Sequence, residues 1–245
     1  MLYFLLGYSK SAKSVAHLIQ VLTNQKDFFD HDFAYEACHR LGELAHEELS
    51  KFALQGNEEE RYSAVQALGH SSGNSIPWLR KVLQSGNVPQ HFLGAYMGQW
   101  RENPVIIEGL PDLVEAGLWS ADPEQLDEAL CAAQSLLEET QNNREFIDLI
   151  NLTKWKDRLI ELATDEEIEE ELAAGALECL GYLRDERHID FIVKQIDQSE
   201  EGMGKAAVEA LGLYHTDTAR TYLVGLLSHK NLEISSLAAA KLLND

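Results

Sequence analysis

The chain has 245 residues, of which 45% are apolar; that is enough for one large or two small domains with a substantial core, and it excludes a disordered tail. Lys and Arg number 20 against 41 Asp and Glu, a formal charge of −21; such a field repels nucleic acid and anionic membranes and attracts a basic protein face. Only five prolines interrupt runs dominated by alanine and leucine, so helix is favoured throughout and the expected class is all-α.

The chain opens on LYFLLG with no basic residue before it, and Lys10 and Lys13 follow too soon for a secretory core. No later run has the ~18 uncharged residues of a membrane span. The string AYEACHRLGEL at Ala34 to Leu44 then recurs as RYSAVQALGHS at Arg61 to Ser71, and again as LAAGALECLGYL and KAAVEALGLY. Measured on the glycine that closes each string, Gly42, Gly69, Gly98, Gly181 and Gly212 are separated by 27, 29, 83 and 31 residues. The long gap suits one degenerate unit ending near Leu137, and Gly7 closes a truncated first one. Gly69, Gly181 and Gly212 are expected to stop their helices in the left-handed conformation, whereas Gly94 and Gly98 suggest close approach by a neighbouring helix. Small residues such as Ala206, Ala207 and Ala210 let neighbouring helices approach, and leucine fills the seam.

A second amphipathic stretch follows each glycine: SIPWLRKVLQ after Gly69, RHIDFIVKQID after Gly181 and DTARTYLVGLLS after Gly212. Two helices per unit of about 30 residues describe an α-solenoid, in which stacked neighbours bury a core that no unit buries alone. Phe92, Tyr96 and Trp100 stand four apart and read as core, as does Trp155 with Leu152, Leu159 and Leu162. The acidic strings at Asn57 to Glu60 and Asp165 to Glu171 read as helix starts favoured by the helix dipole. Between Leu137 and Gly181 the spacing is 44 residues, which places an insertion near Glu138 to Asn151. The expected organisation is a single domain over residues 1–245, about seven units, irregular and expanded near 100–165.

The repeated Ala-Ala-x-Ala-Leu-Gly helix, its short turn and its second helix resemble bacterial HEAT repeats, particularly the short kind of phycobilisome-lyase-like proteins, over Ser11 to Asp245. Such repeats often carry an arginine before the alanine run. Only Arg61 keeps it, Lys205 substitutes for it, and Glu171 and Glu233 reverse its sign. The resemblance implies an α-solenoid that binds other proteins, and as alternatives a bilin-lyase-like or chaperone-like protein. An acidic inhibitor or immunity protein for a basic partner is permitted by the charge.

HEAT-like di-iron hydroxylases use four His-Glu dipeptides, whereas this chain has one, His46-Glu47, too few for the roughly six ligands of a di-iron centre. Cys38, His39 and His46 do not have zinc spacing, and no Gly-rich phosphate loop or catalytic triad is visible. Cys38, Cys131 and Cys179 contain no CxxC and fit a reducing, cytoplasmic setting. The expected function is therefore a non-enzymatic interaction module without a cofactor. Its partner is another protein, with no nucleic acid and no membrane, and the chain is a monomer or a weak homo-oligomer. Second helices are expected to line the recognition surface, which makes Trp78, Arg80, Lys81, Lys154, Lys156, Arg158, His188 and Lys194 the candidate protein-binding residues, together with the insertion near Glu138 to Asn151.

Overall fold

A computed structural model describes residues 2–23, 28–100, 105, 107–142, 150–198 and 201–243, which form fifteen α-helices, short 3-10 turns and, among the described residues, no strand. The chain divides into two compact units, residues 1–113 and 114–245. The first contains α1 (Leu2–Gly7), α2 (Val15–Leu22), α3 (Phe28–Leu41), α4 (Glu43–Gln55), α5 (Glu58–His70), α6 (Ile76–Gln84) and α7 (Phe92–Trp100). Helix α8 (Leu110–Leu118) spans the division. The second contains α9 (Pro123–Asn142), α10 (Leu152–Leu162), α11 (Glu170–Leu183), α12 (Ile189–Gln198), α13 (Glu201–Gly212), α14 (Asp217–Leu226) and α15 (Leu232–Leu243).

Both units alternate in the same way. Odd-numbered helices stack side by side, α1 on α3, α3 on α5 and α5 on α7 in the first unit, α9 on α11, α11 on α13 and α13 on α15 in the second. Each even helix packs on the odd helix that follows it, α2 on α3, α4 on α5, α10 on α11, α12 on α13 and α14 on α15. The repeated strings of the sequence are the odd helices, and their alanines are the contact points: Ala207 and Ala210 are fully buried and Ala206 nearly so. Trp155, Leu159 and Leu162 form a buried stripe on α10, and Phe92, Tyr96 and Trp100 are buried on α7. Burying each such side chain contributes roughly 1.5–3 kcal/mol.

The glycines keep time with the repeat for a different reason from the one the sequence implied. Gly69, Gly181 and Gly212 lie inside their helices rather than beyond them, and of the repeat glycines only Gly42, between α3 and α4, has a positive φ, of 54°; at Gly98 the expected close approach is present, a Cβ there standing 3.0 Å from the Gly69 carbonyl oxygen. A Cβ on Gly69 would stand 2.6 Å from the Cα of Ala95, and one on Gly181 2.7 Å from the Cα of Ala210. These are backbone atoms of the next odd helix, so the absent side chain sets the interhelical distance. The left-handed turn comes three residues later and is made by side chains that pay strain for it: Lys10 after Gly7, Arg184 after Gly181 and His215 after Gly212, with φ of 51°, 50° and 48°.

Polar side chains close the helix ends. Asn57 and Glu60 form a reciprocal capping box at the start of α5, each accepting from the other's backbone N–H at 2.9 Å. The buried amide of Gln99 donates to the carbonyls of Gly69 (3.1 Å) and Ser71 (2.8 Å) and accepts from the Ser75 N–H (3.1 Å), satisfying groups that the end of α5 leaves open. The acidic string at Asp165 to Glu171 is mostly not a helix start. Residues 165–168 form turns, Glu169 is the N-cap, and only Glu170 and Glu171 fall in the first turn of α11. Helix α9 runs to Asn142 and Asn151 caps α10 through the Lys154 N–H; the core of the expected insertion, residues 143–149, lies outside the described residues.

Candidate functional site

The eight positions nominated from sequence occupy separate places. On α6, Trp78 is half-buried and the Lys81 ammonium lies 3.8 Å from its ring centroid, while Arg80 is exposed. On α10, Lys154 and Arg158 are four residues apart and share a face. Both converge on Trp119, an indole 42% exposed, at 4.8 and 5.7 Å from its centroid. Lys154 also pairs with Glu115, and Arg158 donates from Nε to the Leu118 carbonyl at 2.9 Å and pairs with Glu161 at 3.2 Å. Arg158 thus closes the C-terminal end of α8. Lys156, two residues along, pairs with Asp157 at 3.8 Å instead.

His188 is buried in the turn before α12, and burial lowers its pKa against the opposing charge of Asp185. Its Nδ1 has no hydrogen-bond partner among the described residues. Asp185 accepts the Arg187 guanidinium, which holds its carboxyl at about 2. Lys194 is exposed on α12. Trp119 was missed from sequence although a signal existed: it follows Leu118 at the end of α8, off the apolar stripe of Leu110, Val114 and Leu118, so no core position accounts for it.

A concavity of the first unit opens mainly on the odd layer. It encloses about 810 Å³ between the end of α2, α3, the first turns of α5 and the residues before α7. Asp32 and Tyr35 come from α3, Glu58, Glu59 and Tyr62 from α5, and Gln90 and His91 from the approach to α7. A smaller hollow of about 390 Å³ adjoins it at Asp32 and Tyr35 and continues to Glu36, His39 and His70. The rings contact one another edge to face, Tyr62 and His91 with centroids 5.2 Å apart and Tyr35 and His70 5.9 Å apart. Burial pushes the Tyr35 phenol up, with Tyr62 adding to the shift. The Gln66 amide donates to the His91 carbonyl at 3.2 Å and fixes the rim of the groove.

The histidines that invited a metal reading diverge. His46 is buried with Nε2 2.8 Å from the Ser71 hydroxyl, and burial lowers its pKa. His39 is exposed, on the other side of the break at Gly42, with Nδ1 2.7 Å from the His70 carbonyl. Cys38 and Cys179 are buried and Cys131 is exposed; burial pushes the Cys38 thiol up to about 12. No helix among the described residues is long and apolar enough to cross a membrane.

Residues 155–244 match the family described as HEAT repeats. The match is to HEAT repeats in general, and the finer likeness to phycobilisome-lyase-like repeats has no counterpart in it. No curated protein matches the sequence. Among solved structures the chain is similar to a computationally designed armadillo repeat protein for modular peptide recognition, 20% identical, covering 92% of this chain and 97% of that one with a TM-score of 0.44. A designed armadillo repeat protein in complex with the peptide (KR)4 is also 20% identical, with the same coverage and a TM-score of 0.43. An engineered protein is 18% identical, covering 94% of this chain and 96% of that one with a TM-score of 0.45.

Proposed function

We propose that this chain, whose residues 155–244 match the family described as HEAT repeats, is a non-enzymatic scaffold that binds another polypeptide along its stacked odd helices. The observation that carries the reading is the register of the groove in the first unit. Tyr35, Tyr62 and His91 each stand seven residues before Gly42, Gly69 and Gly98, so successive repeats present a ring at one equivalent position, and all three rings line one concavity. A surface that repeats with the fold suits a ligand that is itself extended and runs from unit to unit. Catalysis would instead need one convergent cluster of unlike groups at a reacting atom.

In the second unit the exposed indole of Trp119, flanked by Lys154 and Arg158, is the corresponding contact patch. Tryptophan and arginine are the residue types that dominate binding energy at interfaces. Both cations already have acidic partners, so charge alone does not define this patch.

The test is selection of displayed random peptides on the intact chain, repeated on a Tyr35→Ala/Tyr62→Ala variant whose helicity and melting are checked first. Peptides that bind the wild-type chain and lose binding to the variant are expected. A selection that enriches nothing, or only peptides indifferent to the two tyrosines, removes the groove from consideration.

A further inference from the structure

We infer that the groove on α3 and α5 binds an extended basic segment in which two arginines or lysines stand three residues apart. The inference rests on the scaffold reading and names its ligand.

Its first support is the pairing of unlike groups in register. Asp32 and Glu59 each stand ten residues before Gly42 and Gly69, as Tyr35 and Tyr62 stand seven. On each helix the carboxylate and the ring are three residues apart and therefore share a face. A carboxylate beside the face of a phenol is a site for a guanidinium or ammonium, which takes a charge-assisted hydrogen bond from one and a cation–π contact from the other. The chain makes this arrangement internally next to the groove. The Arg40 guanidinium lies 4.9 Å from the Tyr8 ring centroid and 2.6 Å from Glu36, itself a wall of the smaller hollow.

The second support is the sign of the charge. Asp32, Glu58 and Glu59 line the larger hollow, and among the described residues no lysine or arginine lines it; Glu36, on the smaller hollow, is already paired with Arg40. In a chain of net charge −21 this potential draws in a cationic segment and opposes a phosphate backbone or a second copy of the chain.

The third support is spacing. Packed helices generally lie about 8–10 Å apart, and equivalent positions on α3 and α5, which contact one another, are taken to repeat at about that distance. Three residues of a polyproline II segment advance about 9 Å and return to the same side. Alternate residues of a β-strand advance only about 7 Å, and one turn of helix about 5.4 Å. The register ends after two cation sites, because the position ten residues before Gly98 is Val88. His91 then bounds the groove as a ring without a carboxylate.

The test is fluorescence anisotropy on the full chain with two labelled peptides of one composition, Gly-Pro-Arg-Pro-Pro-Arg-Pro-Gly and its isomer Gly-Pro-Pro-Arg-Arg-Pro-Pro-Gly. The spaced peptide is expected to bind about ten-fold tighter than the isomer, with affinity that falls as salt is raised. An Asp32→Asn/Glu59→Gln variant, altered only at exposed positions, is expected to keep its melt and lose about ten-fold for the spaced peptide. Equal binding of the isomers, full binding by the variant, or no binding of either peptide by the wild-type chain overturns the inference. If display selection still yields tyrosine-dependent peptides of another chemistry, the scaffold reading survives its loss.

Discussion

Two glycines on α11 separate close packing from helix propensity as the reason for a glycine, because the same substitution should act with opposite sign six residues apart. Alanine in place of a helical glycine gains up to about 1 kcal/mol from propensity. At Gly175 the new methyl meets only Leu130, at 3.6 and 3.8 Å, which is ordinary contact. At Gly181 it meets the Cα of Ala210 at 2.7 Å and its Cβ and carbonyl oxygen at 2.9 Å, so α11 and α13 must move apart. Overpacking of this kind costs about 1–3 kcal/mol. Gly175→Ala should therefore stabilise by about 0.5–1 kcal/mol and Gly181→Ala destabilise by up to about 2 kcal/mol. Urea unfolding followed by far-UV circular dichroism reads both, and both residues lie in the second unit. Gly181→Asn distinguishes the helix-stop reading: asparagine tolerates a left-handed backbone but is bulkier than alanine. Close packing makes Asn the worse replacement, whereas a left-handed stop makes it the milder one. Shifts of one sign for both alanine variants would refute the packing argument.

Arg184→Gly should stabilise by up to about 1 kcal/mol and raise the urea midpoint, because Arg184 holds φ 50° and ψ 30°, where a side chain is strained; an unchanged or lower midpoint would show that the turn does not store that strain. Ala210→Phe should cost about 1–3 kcal/mol or more, since Ala210 is fully buried against Gly181, and an unchanged melting temperature would misplace this seam. His46 is buried and its pKa is lowered below the ordinary 6.5, chiefly by burial and against the charge of Glu43. The unfolded chain thus binds the proton more readily, so the stability His46 contributes is present above pH 6.5 and declines as pH falls through the depressed folded value. His46→Gln should flatten that part of the urea midpoint between about pH 7.5 and about pH 5, and an unchanged slope would show that His46 titrates normally in the folded chain.

The fold was legible because its repeated unit is also its contact surface. Alanine and leucine recur at Ala206, Ala207, Ala210 and Leu211 because the odd helices must approach closely there, and the same demand puts Gly181 and Gly69 at the crossing. What the string did not reveal was why glycine stands there. A glycine at a crossing and a glycine one residue past a helix end look alike in sequence, and only the position of the next helix separates them. The string at Asp165 to Glu171 failed for a related reason, since acidic residues suit both a solvated turn and a first helical turn, and here the turn takes the first four.

The groove is harder to read in the sequence because the scarce positive charge is the more conspicuous signal. With 41 acidic and 20 basic residues, each cation is most stable beside carboxylates that would otherwise repel one another, and internal pairs take up much of the positive charge: Lys51 with Glu48, Lys154 with Glu115, Lys205 with Glu233 and Lys241 with Glu209. A lysine or arginine in such a chain is accordingly a weak marker of a binding face, and Lys154 and Arg158 became informative only when Trp119 appeared between them. The field left over for a ligand is acidic, and its pattern is carried by carboxylates and rings that hold their offset from the repeat glycine. That offset was present in the sequence at Asp32 and Tyr35 and again at Glu59 and Tyr62. It acquired meaning once α3 and α5 were seen to stack, because only then do equal offsets become neighbouring positions on one surface.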